Sequence, residues 1–267
     1  MRFQKVKDKI LIIDFGSQVT KLIARRIRDL GVYSEIIQPK SLYDIKNFNN
    51  IKGIIFSGGP STVTKKKFQS VPKKIFHHKI PILGICYGLQ LISKLFGGKI
   101  KASKKKREFG RAFLYEKKTS ALTKNFIKKS KAVWMSHEDA VVKLPKNFTV
   151  IASTKESKLT IIENKKDKIY GVQFHPEITH TDNGKQIFKN FLFEICKIKQ
   201  KWNIVSQKKI LIKEIKTTIK NEKVICALSG GVDSSVVALL INKAIKNNLI
   251  CIMVDTGLMR KNEFKYT

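Results

Sequence analysis

A cysteine between two glycines is the first feature of this sequence that could do chemistry. Cys86 lies between Gly84 and Gly88, after the apolar run 81–85 and before apolar residues at helical spacing. Small residues two positions on either side are typical of the sharp strand-to-helix turn that exposes the nucleophilic serine of hydrolases. At such a turn the cysteine lies at a helix N-terminus, where the helix dipole favours the thiolate. A buried structural cysteine is the alternative, and the turn alone does not decide between them.

His175 and Glu177 form a second candidate group. They follow the predicted strand 171–174 and are separated by Pro176, which stiffens the segment. In extended backbone, residues two positions apart project to the same face, so we expect the imidazole and the carboxylate to lie side by side. A carboxylate on one ring nitrogen fixes the tautomer and leaves the other nitrogen to act as a base. A lone histidine is usually structural, but this pair, in a chain with a cysteine turn, favours catalysis.

Two adjacent glycines end another predicted strand. Gly58 and Gly59 follow the apolar run 53–57. Glycines directly after a buried strand indicate that the backbone comes close to another group, and their N–H groups are candidates for binding an oxyanion. An ordinary tight turn explains the same pair equally well.

A glycine-rich loop near the end of the chain follows the predicted strand 223–228 and begins a helix. Backbone N–H groups and hydroxyls in such a loop can cradle a phosphate. The loop lacks the Gly-Lys-Ser/Thr of a Walker motif, which excludes a P-loop ATPase, and Asp233 suits Mg²⁺ that bridges to phosphates. A capped helix start with a flexible turn is the alternative. The loop consists of Ser229, Gly230, Gly231, Val232, Asp233, Ser234 and Ser235.

The elements that must position the first three groups follow an alternating pattern. Apolar runs typical of buried strands alternate with helical patterns, and the first helix is predicted to run from a Ser17 cap to about Leu30. This alternation predicts an α/β fold with a doubly wound, mostly parallel sheet, in which sites lie at the carboxyl ends of the strands. The predicted strands of this part are 10–15, 32–38, 53–57 and 81–85.

The later part of the chain has a different pattern. Residues 110–172 indicate short β-like pieces, with 134–139 in a loop, and 183–199 is predicted to be an amphipathic helix that closes the first domain. A helix, a strand, the glycine-rich loop, another helix and a strand follow. We therefore predict one domain over 1–200 and a second α/β nucleotide-binding domain over 201–267.

Composition limits the class of protein. With 267 residues, of which 42% are hydrophobic, the chain can build a core. Its four cysteines show no C-x-x-C spacing, which indicates a reducing compartment and argues against a zinc ribbon or a disulfide scaffold. The apolar run 10–13 is broken by Asp14, so a signal peptide is not expected, and no apolar stretch approaches the ~18 residues of a membrane span. These features predict a cytoplasmic protein.

The charge is strongly positive. Lys and Arg number 54 against 20 Asp and Glu, for a formal net charge of +34, which would ordinarily suggest a nucleic-acid partner. Only seven of the basic residues are arginine, however, and the lysines are scattered through every segment. Sites that read bases or grip phosphates favour the bidentate geometry of arginine. We therefore interpret the charge as a compositional bias and do not expect a nucleic-acid partner.

The motifs together resemble two known families. Residues 1 to about 200 resemble a class I (triad-type) glutamine amidotransferase, a flavodoxin-like domain, through DFGSQ, SGGP, LGICYGLQ, WMSH and GVQFHPEITHT. Residues from about 205 resemble the start of an N-type ATP pyrophosphatase domain, through LSGGVDSS and VDTGLMR. In this order the two domains resemble the glutamine-hydrolysing GMP synthase family.

The resemblance implies roles for the residues of the first domain. Cys86 would attack the side-chain amide of glutamine to give a γ-glutamyl thioester and ammonia, with His175 as general base and acid and Glu177 orienting it. Backbone N–H groups would form an oxyanion hole, and a few side chains would hold the glutamine. These oxyanion and glutamine-binding residues would be Gly58, Gly59, Tyr87, Gln90, Ser136 and His137.

For the second domain the resemblance implies that Ser229–Ser235 binds the pyrophosphate of ATP, with Mg²⁺ at Asp233 through the phosphates. The family adenylates the C2 oxygen of XMP, and ammonia then displaces AMP to give GMP. The partners would be the small molecules glutamine, ATP and XMP, with no membrane, no nucleic acid and no organic prosthetic group. The full-length form would be a homodimer through a region that this chain lacks.

Two departures from the family and three alternatives remain. The sequence ends at Thr267, so the pyrophosphatase domain over 201–267 is expected to be incomplete, without the family's XMP-binding and dimerisation regions. Glu138 follows His137 where the family usually has glycine. The ammonia could go to another biosynthetic acceptor, although the Ser229–Ser235 loop argues against this. The chain could be a basic RNA-associated protein with a pyrophosphatase-type loop, which leaves the cysteine, histidine and glutamate without a role. It could also be a regulatory remnant that no longer turns over.

Overall fold

A computed structural model of the chain describes residues 8–102, 108–127, 131–199 and 202–255. The chain separates into two compact units, with the boundary after residue 201. Each unit is described by itself, and the assignment of each to a functional domain stays a prediction. Most of the VDTGLMR motif, from residue 256 onward, lies outside the described residues.

The first unit is built on a nine-stranded sheet. Its strand order is β2-β1-β3-β4-β11-β10-β9-β6-β7. The first five of these strands are parallel to one another, and the last four continue the sheet by antiparallel pairing. A separate antiparallel pair is formed by β5 and β8. The strands are β1 Lys9–Ile13, β2 Ser34–Ile37, β3 Ile51–Phe56, β4 Ile82–Ile85, β5 Lys99–Ala102, β6 Glu108–Glu116, β7 Lys131–His137, β8 Asp139–Lys143, β9 Thr149–Ser153, β10 Ile161–Asn164 and β11 Ile169–Val172.

Helices cover both faces of the parallel half of this sheet. Alternate residues of β1 enter two different hydrophobic clusters, because successive side chains of a strand point to opposite faces. Ile10 and Ile12 pack in the cluster that contains Ile23 of α1, whereas Leu11 and Ile13 pack in the cluster that contains Leu89 of α2. The helices are α1 Thr20–Arg28, α2 Tyr87–Leu95 and α3 Lys185–Lys189, which continues as a π-helical segment Asn190–Ile195, with 3₁₀ turns at Pro39–Leu42 and Lys73–His78.

The predicted α/β class is confirmed: the parallel strands with helices on both faces form the doubly wound, flavodoxin-like part of the unit. The interpretation of 134–139 as a loop is wrong. All of them except Glu138, which forms a bend between the two strands, lie in β7 or at the start of β8. β7 pairs residue for residue with β6 from Glu108↔His137 to Leu114↔Lys131. The antiparallel half therefore has more regular structure than the sequence indicates.

Three local predictions also need correction. The strand predicted at 171–174 ends at Val172, so His175 and Glu177 follow it in a turn rather than in extended backbone. Ser17 does not cap α1, whose first helical residue is Thr20; its hydroxyl accepts a hydrogen bond from the Val19 N–H at 3.2 Å. The helix predicted at 183–199 begins at Lys185 and changes to π-helical geometry after Lys189.

The second unit is a short βαβ arrangement preceded by a helix. Its elements are α4 Ile204–Ile219, β12 Val224–Leu228, α5 Val232–Ile245, a 3₁₀ turn Lys246–Asn248 and β13 Leu249–Met253. The two strands pair in parallel over their whole length, as expected when a helix connects them. Among the residues described in either unit, no helix has both the length and the hydropathy needed to cross a bilayer.

Candidate active site

Cys86 lies in a strained turn between β4 and α2. Its φ is 50° and its ψ is −103°, values that a residue with a side chain rarely adopts. A Cβ on Gly84 would lie 2.5 Å from the backbone carbon of Gly88, which confirms that the turn itself excludes a side chain there. A Cβ on Gly88 would instead lie 2.5 Å from the carbonyl oxygen of Phe56, so the second glycine is required by the neighbouring strand β3 and not by the turn.

His175 and Glu177 lie side by side behind the cysteine. Nδ1 of His175 and Oε1 of Glu177 are 2.8 Å apart, and Glu177 is completely buried. A turn at residues 176–177 makes this contact, in place of the extended backbone that the sequence predicted. The carboxylate therefore occupies one ring nitrogen and leaves Nε2 free to face another group.

The charge state of His175 follows from its two partners. Burial lowers the pKa of His175, but hydrogen bonds to Cys86 and Glu177, and the charges of these two groups, outweigh it and raise the pKa to about 10. The imidazole is therefore protonated at neutral pH, with Glu177 on one side and the Cys86 sulfur on the other. A cysteine beside a protonated histidine is the arrangement found at nucleophilic cysteines.

Gly58 and Gly59 bring backbone close to this group, as the sequence predicted. A Cβ on Gly58 would lie 2.9 Å from Cε1 of His175, and one on Gly59 would lie 2.5 Å from the carbonyl oxygen of Phe15. Ser57 fixes the same strand end, since its hydroxyl accepts from the Phe15 N–H at 3.0 Å and donates to the Gly58 carbonyl at 2.7 Å. Whether their N–H groups bind an oxyanion stays a prediction.

A cavity of about 780 Å³ opens beside the cysteine. The Cys86 sulfur lies 3.6 Å from the Ser136 carbonyl oxygen, and Nε2 of Gln90 donates to the Asp139 carbonyl oxygen at 2.8 Å. Because Tyr87 is the first residue of α2, its N–H has no carbonyl partner within the helix. The cavity brings together seven of the residues singled out from the sequence: Gly59, Cys86, Tyr87, Gln90, Ser136, His137 and His175.

The loop of the second unit, Ser229–Ser235, joins β12 to α5. Gly230 has φ of 75°, a left-handed value that allows the turn. The hydroxyls of Ser234 and Ser235 both donate to the Gly231 carbonyl oxygen at 3.0 Å, and the Ser229 N–H donates to the Ser234 hydroxyl at 3.2 Å. Val232 and Asp233 are exposed in the first helical turn. The hydroxyls therefore shape the loop by bonding within it, and the binding of a phosphate there stays a prediction.

The sequence of the first unit matches the model of a known family, glutamine amidotransferase class-I, over residues 11–195. The chain belongs to the class-I glutamine amidotransferase family. Residues 204–266 match a second family model, NAD synthase.

Relatives extend this likeness across both units. The chain is 49% identical over 261 residues to a protein of Treponema denticola named GMP synthase [glutamine-hydrolyzing], covering 98% of this chain and 50% of the relative. A Brachyspira hyodysenteriae protein of the same name is 50% identical over 259 residues, which are 97% of this chain and 50% of the relative. The chain thus spans about half the length of the curated relatives it matches.

A solved structure supports the amidotransferase fold of the first unit. The crystal structure of a candidate GMP synthase subunit from Thermoplasma acidophilum superposes with a TM-score of 0.64 at 31% identity. The alignment covers 78% of this chain and 98% of that one.

Sequence reasoning missed the residues that hold His175 and Glu177 in place. The Thr181 hydroxyl donates to the His175 carbonyl oxygen at 2.7 Å and accepts from the Trp134 N–H at 3.0 Å. Nε of Arg26 donates to the Glu177 carbonyl oxygen at 3.1 Å. Thr181 belongs to the GVQFHPEITHT motif and could have been found there, whereas Arg26 lies on a distant helix and gave no local signal.

A second buried histidine–carboxylate pair was also missed. Nε2 of His137 and Oε2 of Glu108 are 3.2 Å apart, and the Thr154 hydroxyl donates to Oε1 of Glu108 at 2.8 Å. This network fixes the ring of His137 at the edge of the cavity. Glu108 faces His137 only because β6 and β7 pair in that register.

Gln173 is a further residue that the sequence analysis passed over. It lies two positions before His175, and its Nε2 donates to the Cys86 sulfur at 3.7 Å. The same two-residue spacing that indicated Glu177 could have indicated Gln173.

Proposed function

We propose that this chain works in glutamine-dependent GMP synthesis. The first unit would hydrolyse glutamine with a Cys86–His175–Glu177 triad, and the second would contribute to an ATP site that activates XMP. One observation carries the proposal: a buried, carboxylate-held His175 and a strained Cys86 line the same cavity, which is large enough for an amino acid. XMP is proposed as the acceptor of the ammonia because the relatives that match both units are named GMP synthase.

In the first half-reaction the Cys86 thiolate attacks the side-chain carbonyl carbon of glutamine and a C–S bond forms. The negative oxygen of the tetrahedral intermediate would accept hydrogen bonds from backbone N–H groups of Gly59 and Tyr87, with Gly58 shaping the strand end. Protonated His175 then gives its proton to the amide nitrogen, the C–N bond breaks, and ammonia leaves. Glu177 stabilises the imidazolium while the proton is held on the ring.

In the second half-reaction neutral His175 takes a proton from a water molecule, which attacks the thioester carbon. The C–S bond breaks, glutamate leaves, and the thiolate–imidazolium pair is restored. The α-amino and α-carboxylate groups of glutamine would be held by Gln90, Ser136 and His137, which line the same cavity as Cys86. Glu138, where the family usually has glycine, lies on the same wall.

In the second unit the N–H groups and hydroxyls of Ser229–Ser235 would bind the pyrophosphate of ATP. Mg²⁺ usually binds to one or two carboxylates together with substrate phosphates, and exposed Asp233 in the first turn of α5 fits that need. Within the residues described, no group of three or more histidine, cysteine or acidic side chains forms a metal cage, so the phosphates would complete the site. When bound, Mg²⁺ supplies charge neutralisation at the phosphates. Ammonia from the first unit would displace AMP from adenylated XMP.

The proposal is tested by two assays on the same protein. Glutamate release from glutamine is expected from the wild-type chain and is expected to fall at least about 10³-fold in Cys86→Ala, because the nucleophile is lost. ATP-dependent amination of XMP, with glutamine or with ammonium salt, is measured on the full-length form of the enzyme. Amination from ammonium but not from glutamine in Cys86→Ala supports the proposal.

Absence of glutamate release from the wild type at every nucleotide condition would contradict the proposal. Steeply salt-dependent RNA binding in its place would favour the RNA-associated alternative. Glutamate release without XMP amination in the full-length form would favour a different ammonia acceptor. A cytoplasmic location and a homodimeric full-length form stay predictions from the family resemblance.

A further inference from the structure

We propose that Gln173 is a catalytic residue of the same site: its side-chain amide donates a hydrogen bond to the Cys86 sulfur and stabilises the thiolate. The inference rests on the proposed function, since it concerns the nucleophile of that reaction. It assigns the sulfur a second donor besides His175, one whose proton is not transferred.

The position of Gln173 is set by the sheet. It directly follows β11, and its backbone N–H donates to the Thr160 carbonyl oxygen at 2.8 Å. The residue is completely buried, and its Nε2 lies 3.7 Å from the sulfur. Gln173 does not line the cavity, so it approaches Cys86 from the protein side while glutamine would approach from the cavity side. Its contact with the sulfur therefore does not depend on bound substrate.

The oxygen of the same side-chain amide is left without a partner among the described residues. Oε1 of Gln173 is buried and has no hydrogen-bond partner in the described part of the chain. A buried amide oxygen without a partner destabilises the folded state, and an apolar side chain of similar size would remove that penalty. A glutamine here is thus unfavourable for stability, and the contact that it gains is the one with the sulfur.

The chemistry of the reaction gives this donor a definite task. His175 delivers its proton to the leaving ammonia and collects another from water, so its hydrogen bond to the sulfur is interrupted during turnover. The N–H of Gln173 is not consumed and can stabilise negative charge on sulfur in the resting enzyme and when the thiolate leaves the thioester. Loss of this donor should reduce kcat and leave the KM for glutamine nearly unchanged, because Gln173 lies outside the cavity.

The test compares wild type with Gln173→Met in the 267-residue chain, using iodoacetamide as the probe. The alkylation rate of Cys86 is followed by mass spectrometry of its peptide across a pH series, and thermal unfolding is measured in parallel. We expect alkylation at neutral pH to slow roughly three- to tenfold, the size of one hydrogen bond, and its pH midpoint to move upward. The unfolding temperature should stay the same or rise, because the unpaired oxygen is gone.

Gln186→Met is the matched control. Gln186 lies on α3, and its Nε2 donates to Oδ1 of Asn190 at 2.9 Å. This substitution should leave the alkylation of Cys86 unchanged. Gln173→Glu supplies a second variant, in which a carboxylate beside the sulfur opposes the thiolate and should slow alkylation more than methionine does.

The proposal is overturned if Gln173→Met and Gln173→Glu both alkylate like the wild type. It is also overturned if slower alkylation in Gln173→Met comes with a matching loss of thermal stability, since that result would indicate a packing role. If Gln173→Met does not fold, Gln173→Asn keeps the amide but shortens its reach and should show the same slowing. Alkylation needs no glutamine, so this outcome is independent of whether the chain proves to be a glutaminase.

Discussion

In the first unit the Cys86, His175 and Glu177 side chains are buried and are held by other residues of the unit, whereas in the second unit the Ser229–Ser235 loop is largely exposed. Glu177 and His175 are fixed by Arg26, Thr181 and the strained turn at Cys86. In Ser229–Ser235 the hydrogen bonds that the hydroxyls make to described residues all stay within the loop itself. The site around Cys86 is therefore organised by distant parts of its unit, whereas Ser229–Ser235 is organised by the local conformation of a single loop.

The largest expected effect compares one glycine from each unit. In Gly88→Ala the new Cβ would lie 2.5 Å from the Phe56 carbonyl oxygen, whereas in Gly231→Ala it meets only the Ser229 hydroxyl at 3.4 Å. We expect the first to destabilise its unit by about 3 kcal/mol or more, because backbone must move. The second should cost at most about 1 kcal/mol.

Hydrogen–deuterium exchange read by mass spectrometry measures this difference, since peptides report on each unit separately. Equal loss of protection in the two variants would show that the first site is not held by distant contacts. The two sites would then not differ in how they are held.

The next effect concerns the carboxylate. Glu177→Gln removes the charge that keeps His175 protonated, so the pKa of His175 should fall from about 10. Glutamate release should fall about 10²-fold, within the range of general acid–base effects. The matched control is Glu194→Gln, because the ion pairs of half-buried Glu194 within the described residues are with lysines alone, Lys124 at 3.1 Å and Lys197 at 3.9 Å. An NMR titration of the ring and a coupled glutamate assay give the two readouts, and unchanged values for Glu177→Gln would remove it from the triad.

Stability of the first unit should also depend on pH. The folded state raises the pKa of His175 to about 10, from an ordinary value of 6.5. Between these values the folded state holds a proton that the unfolded state releases, so the contribution is complete below pH 6.5 and is lost as the pH rises toward 10. Melting temperatures across this range should fall more steeply in wild type than in His175→Gln. Parallel slopes would show that the ring does not carry this charge.

Much of the first site could be predicted because it depends on consecutive residues. Gly84 is required by the turn at Cys86 itself, a local feature that the sequence shows, and the apolar runs specify the parallel strands. The partners of His175 and His137 could not be predicted. Arg26 reaches Glu177 from a residue separation of 151, and Glu108 faces His137 through a strand pairing that the sequence did not indicate.

The smallest effect concerns one of these distant contacts. Thr181→Val keeps the shape of the side chain but leaves the His175 carbonyl and the Trp134 N–H without their partner. We expect glutamate release to fall about tenfold, because the imidazole is less well oriented. Thr217→Val on α4 is the control, since the exposed Thr217 hydroxyl bonds, over the part of the chain that the structure describes, only to carbonyl oxygens of its own helix. If both variants keep full activity, local conformation alone positions the histidine.

The backbone at Cys86 has a consequence for how such a protein can change. Its φ of 50° is one that glycine adopts freely and cysteine does not, so Cys86→Gly would relax the turn and make the molecule sturdier while removing its sulfur. Selection of variants for thermal stability alone would therefore favour Cys86→Gly, which lacks the sulfur needed for the proposed reaction. A protein that keeps the thiol at this position also keeps the strained backbone conformation that goes with it.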